Sequence, residues 1–253
     1  MSARNPAPAW YVISLRPRGG NASLRRAATR HGAGLLALAP WKLETIDSVE
    51  SRAALDQALA ADRLMFTSPE AARSAAKLRD LRAMPGQAWF AVGSGTAAAL
   101  RRVGVADVVA PTRMDSEGLL ALPGLQHLHD STIGLVTAPG GRGTLPPALE
   151  ARGAKVIRAN VYQRVPVLPP PRALAAVHNL KAPAVLAVSS GEALQLTLQT
   201  LPAPVVERLL ALPAVAASAR LVELAHDSGF STCRQARSAR PADMIEVAAQ
   251  LMA

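Results

Sequence analysis

One cysteine, Cys233, occurs among 253 residues, which excludes an intramolecular disulfide framework and suits a reducing cytosol. Aromatic residues make up only 3% of the chain. Its core must therefore be built largely from Ala, Val and Leu, and few rings are available for nucleobases to stack on. No apolar run approaches the roughly 20 residues a membrane span needs. The opening MSARNPAPAWYVISL has neither the long apolar stretch nor the small-residue cleavage site of a secretory leader. What is plentiful points the same way. Half of the residues are apolar, enough for a sizeable core in one large domain or two small ones. The reading is a soluble cytoplasmic protein with no membrane partner.

Acidic residues are outnumbered by basic ones, 18 to 28, and almost all of the basic residues are arginine. Two explanations fit. Arginine forms bidentate pairs with carboxylates and phosphates, so a polyanionic partner would account for it. A coding bias that enriches Ala, Arg and Pro together would do so equally. Nucleic acid is disfavoured, because the arginines form no terminal tail. Other signatures are missing too. There is no Walker sequence and no G-x-G-x-x-G opening a helix, and the GSG at 93–95 is a weak lookalike. The histidines show no ligand spacing beyond His127 and His129. Two ligands do not make a metal site, and a solvated loop is the reading there.

The chain is written twice. Sliding it by 121 positions places Gly19 on Gly140, Gly20 on Gly141, Leu24 on Leu145, Gly32 on Gly153 and Trp41 on Tyr162. LMFTSPEAA (64–72) matches LAVSSGEAL (186–194), and AVGSGTAAALRRVGV (91–105) is echoed by AASARLVELAHDSGF (216–230). Each block is an apolar run, then small polar residues, then a helix-period segment closed by glycine. Strands alternating with helices imply parallel sheets with crossover helices, so the fold class is α/β, in two similar halves. The proline-rich VPVLPPPRA (165–173) and the shorter APWK (39–42) read as stiff linkers.

In order and spacing these blocks resemble the uroporphyrinogen-III synthase family. The resemblance rests on LRP (15–17), TS (67–68), AVGSGTAAAL, DSEGLL (115–120), the GGR-to-RGA unit (140–154), VYQR (161–164), the SSGEAL turn and SARLVELA, and it covers nearly the whole chain. It implies two flavodoxin-like parallel-sheet domains flanked by helices, joined by a two-stranded connector, with the active site in the cleft. The first domain would be discontinuous, residues 1–38 and 168–253. The second would span 43–160, with connectors at 39–42 and 161–167. The implied reaction takes hydroxymethylbilane, removes water, and closes the ring with inversion of the last pyrrole through a spiro intermediate. No metal or organic cofactor is implied, and the expected state is a monomer.

The substrate carries eight carboxylates, and strand-to-helix turns offer free backbone N–H groups at the positive end of a helix dipole. The resemblance thus nominates the turns for substrate binding, with Arg16, Ser68, Thr96, Gly140, Gly141, Arg142, Ser189, Ser190, Ser218 and Arg220 as contacts. Residue by residue, other roles stay open. The glycines also permit tight turns, and helix capping explains Ser68, Thr96, Ser189 and Ser190 equally well. Tyr162 occupies the family's tyrosine position and would serve as proton donor to the departing hydroxyl, as a phenol can when a free tyrosine keeps its proton at neutral pH. Packing explains a tyrosine there as well. The family's acidic residue after Arg142 is Gly143 here. A binding protein for a nucleotide or sugar phosphate, also built on Gly-rich turns, is the alternative.

Overall fold

A computed structural model describes residues 7–113, 116–140 and 143–252. In chain order the elements begin with β1 (Trp10–Ser14), α1 (Ala22–Arg30), β2 (Ala33–Ala37) and β3 (Trp41–Thr45). Next come α2 (Val49–Leu59), β4 (Arg63–Phe66), α3 (Pro69–Leu78), β5 (Ala88–Ala91), α4 (Ser94–Arg102) and α5 (Ser116–Leu120). They are followed by β6 (Thr132–Thr137), α6 (Leu145–Glu150), β7 (Lys155–Asn160), β8 (Tyr162–Pro166) and α7 (Pro171–His178). The chain finishes with β9 (Ala184–Val188), α8 (Gly191–Thr200), α9 (Ala203–Leu210), β10 (Ala214–Ala216), α10 (Ala219–Asp227), β11 (Cys233–Gln235) and α11 (Pro241–Met252). Two compact units result: residues 1–42 with 165–253, and residues 43–164.

In the discontinuous unit the strands run in the order β11-β10-β9-β1-β2, all parallel. Helices cover both faces of such a sheet, so a central strand reads as a continuous apolar run. Strand β9, AVLAV, is buried at every position. On one face Val12, Leu35, Val185, Ala187 and Val215 pack with Leu24, Ala27 and Ala28 of α1 and Met244, Ile245 and Ala248 of α11. Tyr11, on the same strand as the buried Trp10, lies over Gly34 of β2.

The continuous unit repeats this plan with the parallel order β5-β4-β6-β7. The strand alternation of period two sorts its residues onto two cores. Leu64, Phe66, Trp89, Ala91 and Val136 face one side, and Met65, Phe90, Ile133 and Leu135 face the other. Phe66 and Trp89 stack with centroids 5.4 Å apart and planes 9° from parallel, an arrangement that adds about 0.5–1.5 kcal/mol to simple burial. The start of the sheet is clasped by Asp62. Its carboxylate accepts from the Thr132 N–H (2.7 Å) and hydroxyl (2.8 Å). These bonds hold the carboxyl below its ordinary range.

The internal repeat maps one sheet onto the other. Strands β10, β9, β1 and β2 stand where β5, β4, β6 and β7 stand, in the same order. Even β11, the extra edge strand, has a vestige. Val215 pairs with Arg234 in one unit, and the residues 125 positions earlier, Phe90 and Val109, form an isolated parallel bridge in the other.

Both linker segments feed the two-stranded connector that the resemblance implied. Trp41 and Lys42 open β3, and Val165 and Pro166 complete β8. The pair β3–β8 forms a separate two-stranded sheet where the chain passes from unit to unit. Pro171 occupies the first turn of α7, a position where proline's missing N–H removes no helical bond.

Candidate functional site

In a parallel sheet the strand carboxyl ends and the following helix N-termini lie along one edge, which is where such folds bind ligands. In the unit of residues 43–164 that edge carries a concavity of about 390 Å³, walled by the ends of β4 and β6, the turn after β6, β7 and β8.

The side chains arrive there for local reasons. After β4 the chain runs through Thr67 to Ser68, whose extended backbone and hydroxyl cap α3 by accepting from the Ala71 N–H (3.0 Å), with Pro69 fixing the first helical turn. After β6, Gly140 turns the chain at φ +76°, and its repeat partner Gly19 does the same at +83°. That region is costly for residues with a Cβ. Tyr162 opens β8 with its ring in the apolar core and only 6% of its surface exposed. Its hydroxyl lies 2.9 Å from the Ser68 hydroxyl. Ser68, Gly140 and Tyr162 thus converge on one cavity.

Other residues line it that the sequence reading did not nominate, among them Thr67, Thr137, Arg158 and Arg164. Thr67 and Thr137, at the ends of neighbouring strands, share a hydroxyl–hydroxyl bond of 2.8 Å. Arg158 of β7 donates through Nη2 to the carbonyls of Ala138 (2.8 Å) and Gly140 (3.3 Å), and through Nε to Asn160 Oδ1 (3.0 Å). It therefore braces the Gly140 turn while adding positive charge to the wall. Arg164 of β8 adds a second guanidinium. The available signal was Arg158 itself, an arginine in a strand whose repeat counterpart, at Ala37, is apolar.

The remaining nominated residues are placed differently. Gly141 and Arg142 lie outside the described residues. Thr96 is 4% exposed within α4, whose N-cap is Gly93, so it neither caps the helix nor lines this cavity. The capping alternative for Thr96 is thereby corrected. The discontinuous unit holds Arg16, Ser189, Ser190, Ser218 and Arg220. Ser190 caps α8 by accepting from the Ala193 N–H (3.3 Å), whereas Ser189 precedes the cap. Ser218 is the N-cap residue of α10 but makes no side-chain cap bond, so it keeps its hydroxyl for other uses. Exposed Arg220 reaches back over the start of α8, its Nη1 lying 3.8 Å from where a Cβ on Gly191 would be. Arg16 follows β1, and its Nη2 donates to the Ala239 carbonyl (3.0 Å). Burial pulls its guanidinium below the ordinary value, while an arginine still stays charged at neutral pH. Its backbone N–H donates to Ser14 Oγ (3.2 Å), which in turn donates to Asn21 Oδ1 (2.7 Å).

No group of three or more His, Cys, Asp or Glu side chains that could hold a metal occurs among the described residues. His127 and His129 lie in a loop and a turn, not on a strand. Among the described residues no helix is long and apolar enough to cross a membrane.

Comparison with known proteins bears on what this edge is for. A uroporphyrinogen-III synthase of Salmonella typhimurium is 34% identical over 153 residues, which is 60% of this chain and 62% of that protein. The Escherichia coli K12 protein of the same name is 32% identical over the same shares. The match thus spans about 62% of the length of these curated relatives. Among solved structures, uroporphyrinogen-III synthetase from Helicobacter pylori 26695 superposes with a TM-score of 0.63 at 15% identity, covering 95% of this chain and 99% of that one. A uroporphyrinogen III synthase mutant from Thermus thermophilus gives 0.58 at 19% identity, covering 95% and 97%. At such identities the likeness establishes a shared fold. Residues 22–246 match the family described as uroporphyrinogen-III synthase HemD, and the chain belongs to that family.

Proposed function

We propose that the chain cyclises hydroxymethylbilane to uroporphyrinogen III, with loss of water and inversion of the last pyrrole ring. The observation that carries this is the cavity of residues 43–164, in a member of this family. Its wall combines a tyrosine hydroxyl with the guanidinium groups of Arg158 and Arg164 and the turn at Gly140. That composition suits a ligand with several carboxylates and a leaving oxygen in need of a proton.

In this reading the pyrrole nitrogen supplies the electron pair that expels the hydroxymethyl oxygen and gives up its own proton. Tyr162 protonates the departing oxygen, water leaves, and the proton released by the nitrogen passes through solvent to the phenolate, restoring the tyrosine. The resulting azafulvene is attacked by a substituted carbon of the terminal pyrrole. The spiro intermediate then fragments and recloses with that ring inverted. No side chain need act as nucleophile, and no cofactor is called on. The protein's task is to hold a flexible chain so that the substituted carbon meets the azafulvene, which is catalysis by positioning.

The test supplies freshly prepared hydroxymethylbilane, oxidises the product and separates the isomers. Isomer III formed faster than spontaneous closure supports the reading, and isomer I at the spontaneous rate alone sinks it. Saturation by a nucleotide or sugar phosphate, with no response to linear tetrapyrroles, would favour the phosphate-binding alternative. The same assay checks how the carboxylates are shared. Backbone N–H groups and the arginines of the wall divide that duty, so Arg164→Ala should weaken substrate binding by about 1–2 kcal/mol, the size of one charge-assisted hydrogen bond. Complete loss of binding in a folded variant would show instead that Arg164 dominates.

A further inference from the structure

The Ser68 hydroxyl has one hydrogen to give, and its surroundings constrain where that hydrogen goes. One lone pair is occupied by the Ala71 N–H at 3.0 Å, the bond that caps α3. Its backbone is extended, at φ −158° and ψ 159°. The cap bond therefore fixes the side-chain torsion, and with it the position of the oxygen. At 2.9 Å stands the hydroxyl oxygen of Tyr162, carried by a ring held immobile in the core that also contains Phe66 and Ala71. Both residues line the same cavity. With the Ser68 hydrogen directed onto Tyr162 Oη, the phenolic proton must point elsewhere, and the open direction for it is the cavity.

We propose that Ser68 is a positioning residue for Tyr162: it orients the phenolic proton into the cavity and donates to the phenolic oxygen as that proton leaves. This rests on the proposed cyclisation, and it changes what Ser68 is for. Its hydroxyl acts through the tyrosine rather than as a carboxylate ligand. The helix cap and the proton donor become one unit, because the cap bond that ends β4 and starts α3 also sets the direction of the tyrosine bond. The arrangement is confined to one copy of the repeat. Ser190, the counterpart of Ser68, caps α8 in the same way, but the position of Tyr162 is taken by Trp41, an indole with no proton to transfer at neutral pH.

A double-mutant cycle tests this, since residues acting as a unit give non-additive losses. The proteins are wild type, Ser68→Ala, Tyr162→Phe and the double variant, each assayed for hydroxymethylbilane turnover. Ser68→Ala is expected to lower kcat about ten-fold with little change in KM, the loss expected of one hydrogen bond to a group gaining negative charge. In the Tyr162→Phe background the same substitution should cost nothing further, and Ser68→Thr should restore the rate. If losing the cap unfolds Ser68→Ala, Ser68→Gly takes its place, since glycine is nearly as good an N-cap and lacks the hydroxyl. Equal losses in both backgrounds, or a loss confined to KM, would overturn the proposal by giving Ser68 a purely structural or ligand-binding role. An unchanged rate in Tyr162→Phe would overturn it too. Wild-type protein that forms no isomer III would remove the functional reading and this inference together, whereas additive losses in an active enzyme remove only the inference.

Discussion

Replacing Tyr162 by phenylalanine is expected to slow hydroxymethylbilane turnover by up to about 100-fold, the lower end of what a general acid contributes, while the product remains isomer III. The size follows from what else drives the step. The pyrrole nitrogen already pushes the oxygen out, and a water in the cavity can supply part of the missing proton transfer. The unchanged product follows from geometry. Phenylalanine keeps the ring in the core it shares with Phe66 and Ala71, so the walls that fold the substrate stay where they are. Circular dichroism establishes that the variant is folded, and isomer separation after oxidation gives rate and product together. An unchanged rate removes Tyr162 from the chemistry. A folded variant that itself makes an excess of the uninverted ring would assign Tyr162 to substrate positioning instead of proton donation.

The largest expected stability loss is at Gly134, in the middle of β6. A Cβ there would lie 2.1 Å from the Ala58 carbonyl oxygen and 2.8 Å from its carbon. Those are backbone atoms of the last turn of α2, so no side chain can swing aside to relieve the clash. The helix must shift off the sheet, taking Leu55 and Ala58 out of the core they share with Leu64 and Val136. Gly134→Val should therefore destabilise by about 3 kcal/mol or more, the upper end of overpacking losses. The loss should be local to residues 43–164, so hydrogen exchange is the right measurement. Amides of β4 and β6 are expected to lose protection while those of β1 and β9 keep theirs. Gly95→Ala is the control. Its Cβ would meet only Pro69 Cγ, at an ordinary 3.7 Å, and alanine at the second position of α4 fits the helical backbone without strain. Equal melting behaviour of Gly134→Val and wild type would show that α2 can move at no cost.

The sequence by itself determined the strand–turn–helix rhythm, because glycine, proline and capping serine act on the few residues beside them. The repeat at offsets of 121 to 125 carried further. Matching turns at Gly19 and Gly140, and matching caps at Ser68 and Ser190, place the four core strands of each sheet in one order. Tyr162 was legible for the same reason, as the residue facing Trp41 across the repeat and the one that matches the family's tyrosine. Only the tertiary structure decided which of the nominated residues meet. Ser68 and Tyr162 stand 94 positions apart in the chain, and packing of β4 beside β6, with the chain returning through β7 into β8, brings their hydroxyls within 2.9 Å. Thr96 went the other way. Its polar side chain looked suited to a turn, but the helix begins earlier, at Ser94 with Gly93 as N-cap, and winds it into a buried position. Arg158 was invisible as a site residue because its role depends on register. Parallel pairing sets it opposite Leu135 and sends its guanidinium to the carbonyls of Ala138 and Gly140. Local propensities act over a handful of residues and are written in the chain. Contacts across neighbouring parallel strands depend on how whole elements stack, and no short stretch of sequence holds that information.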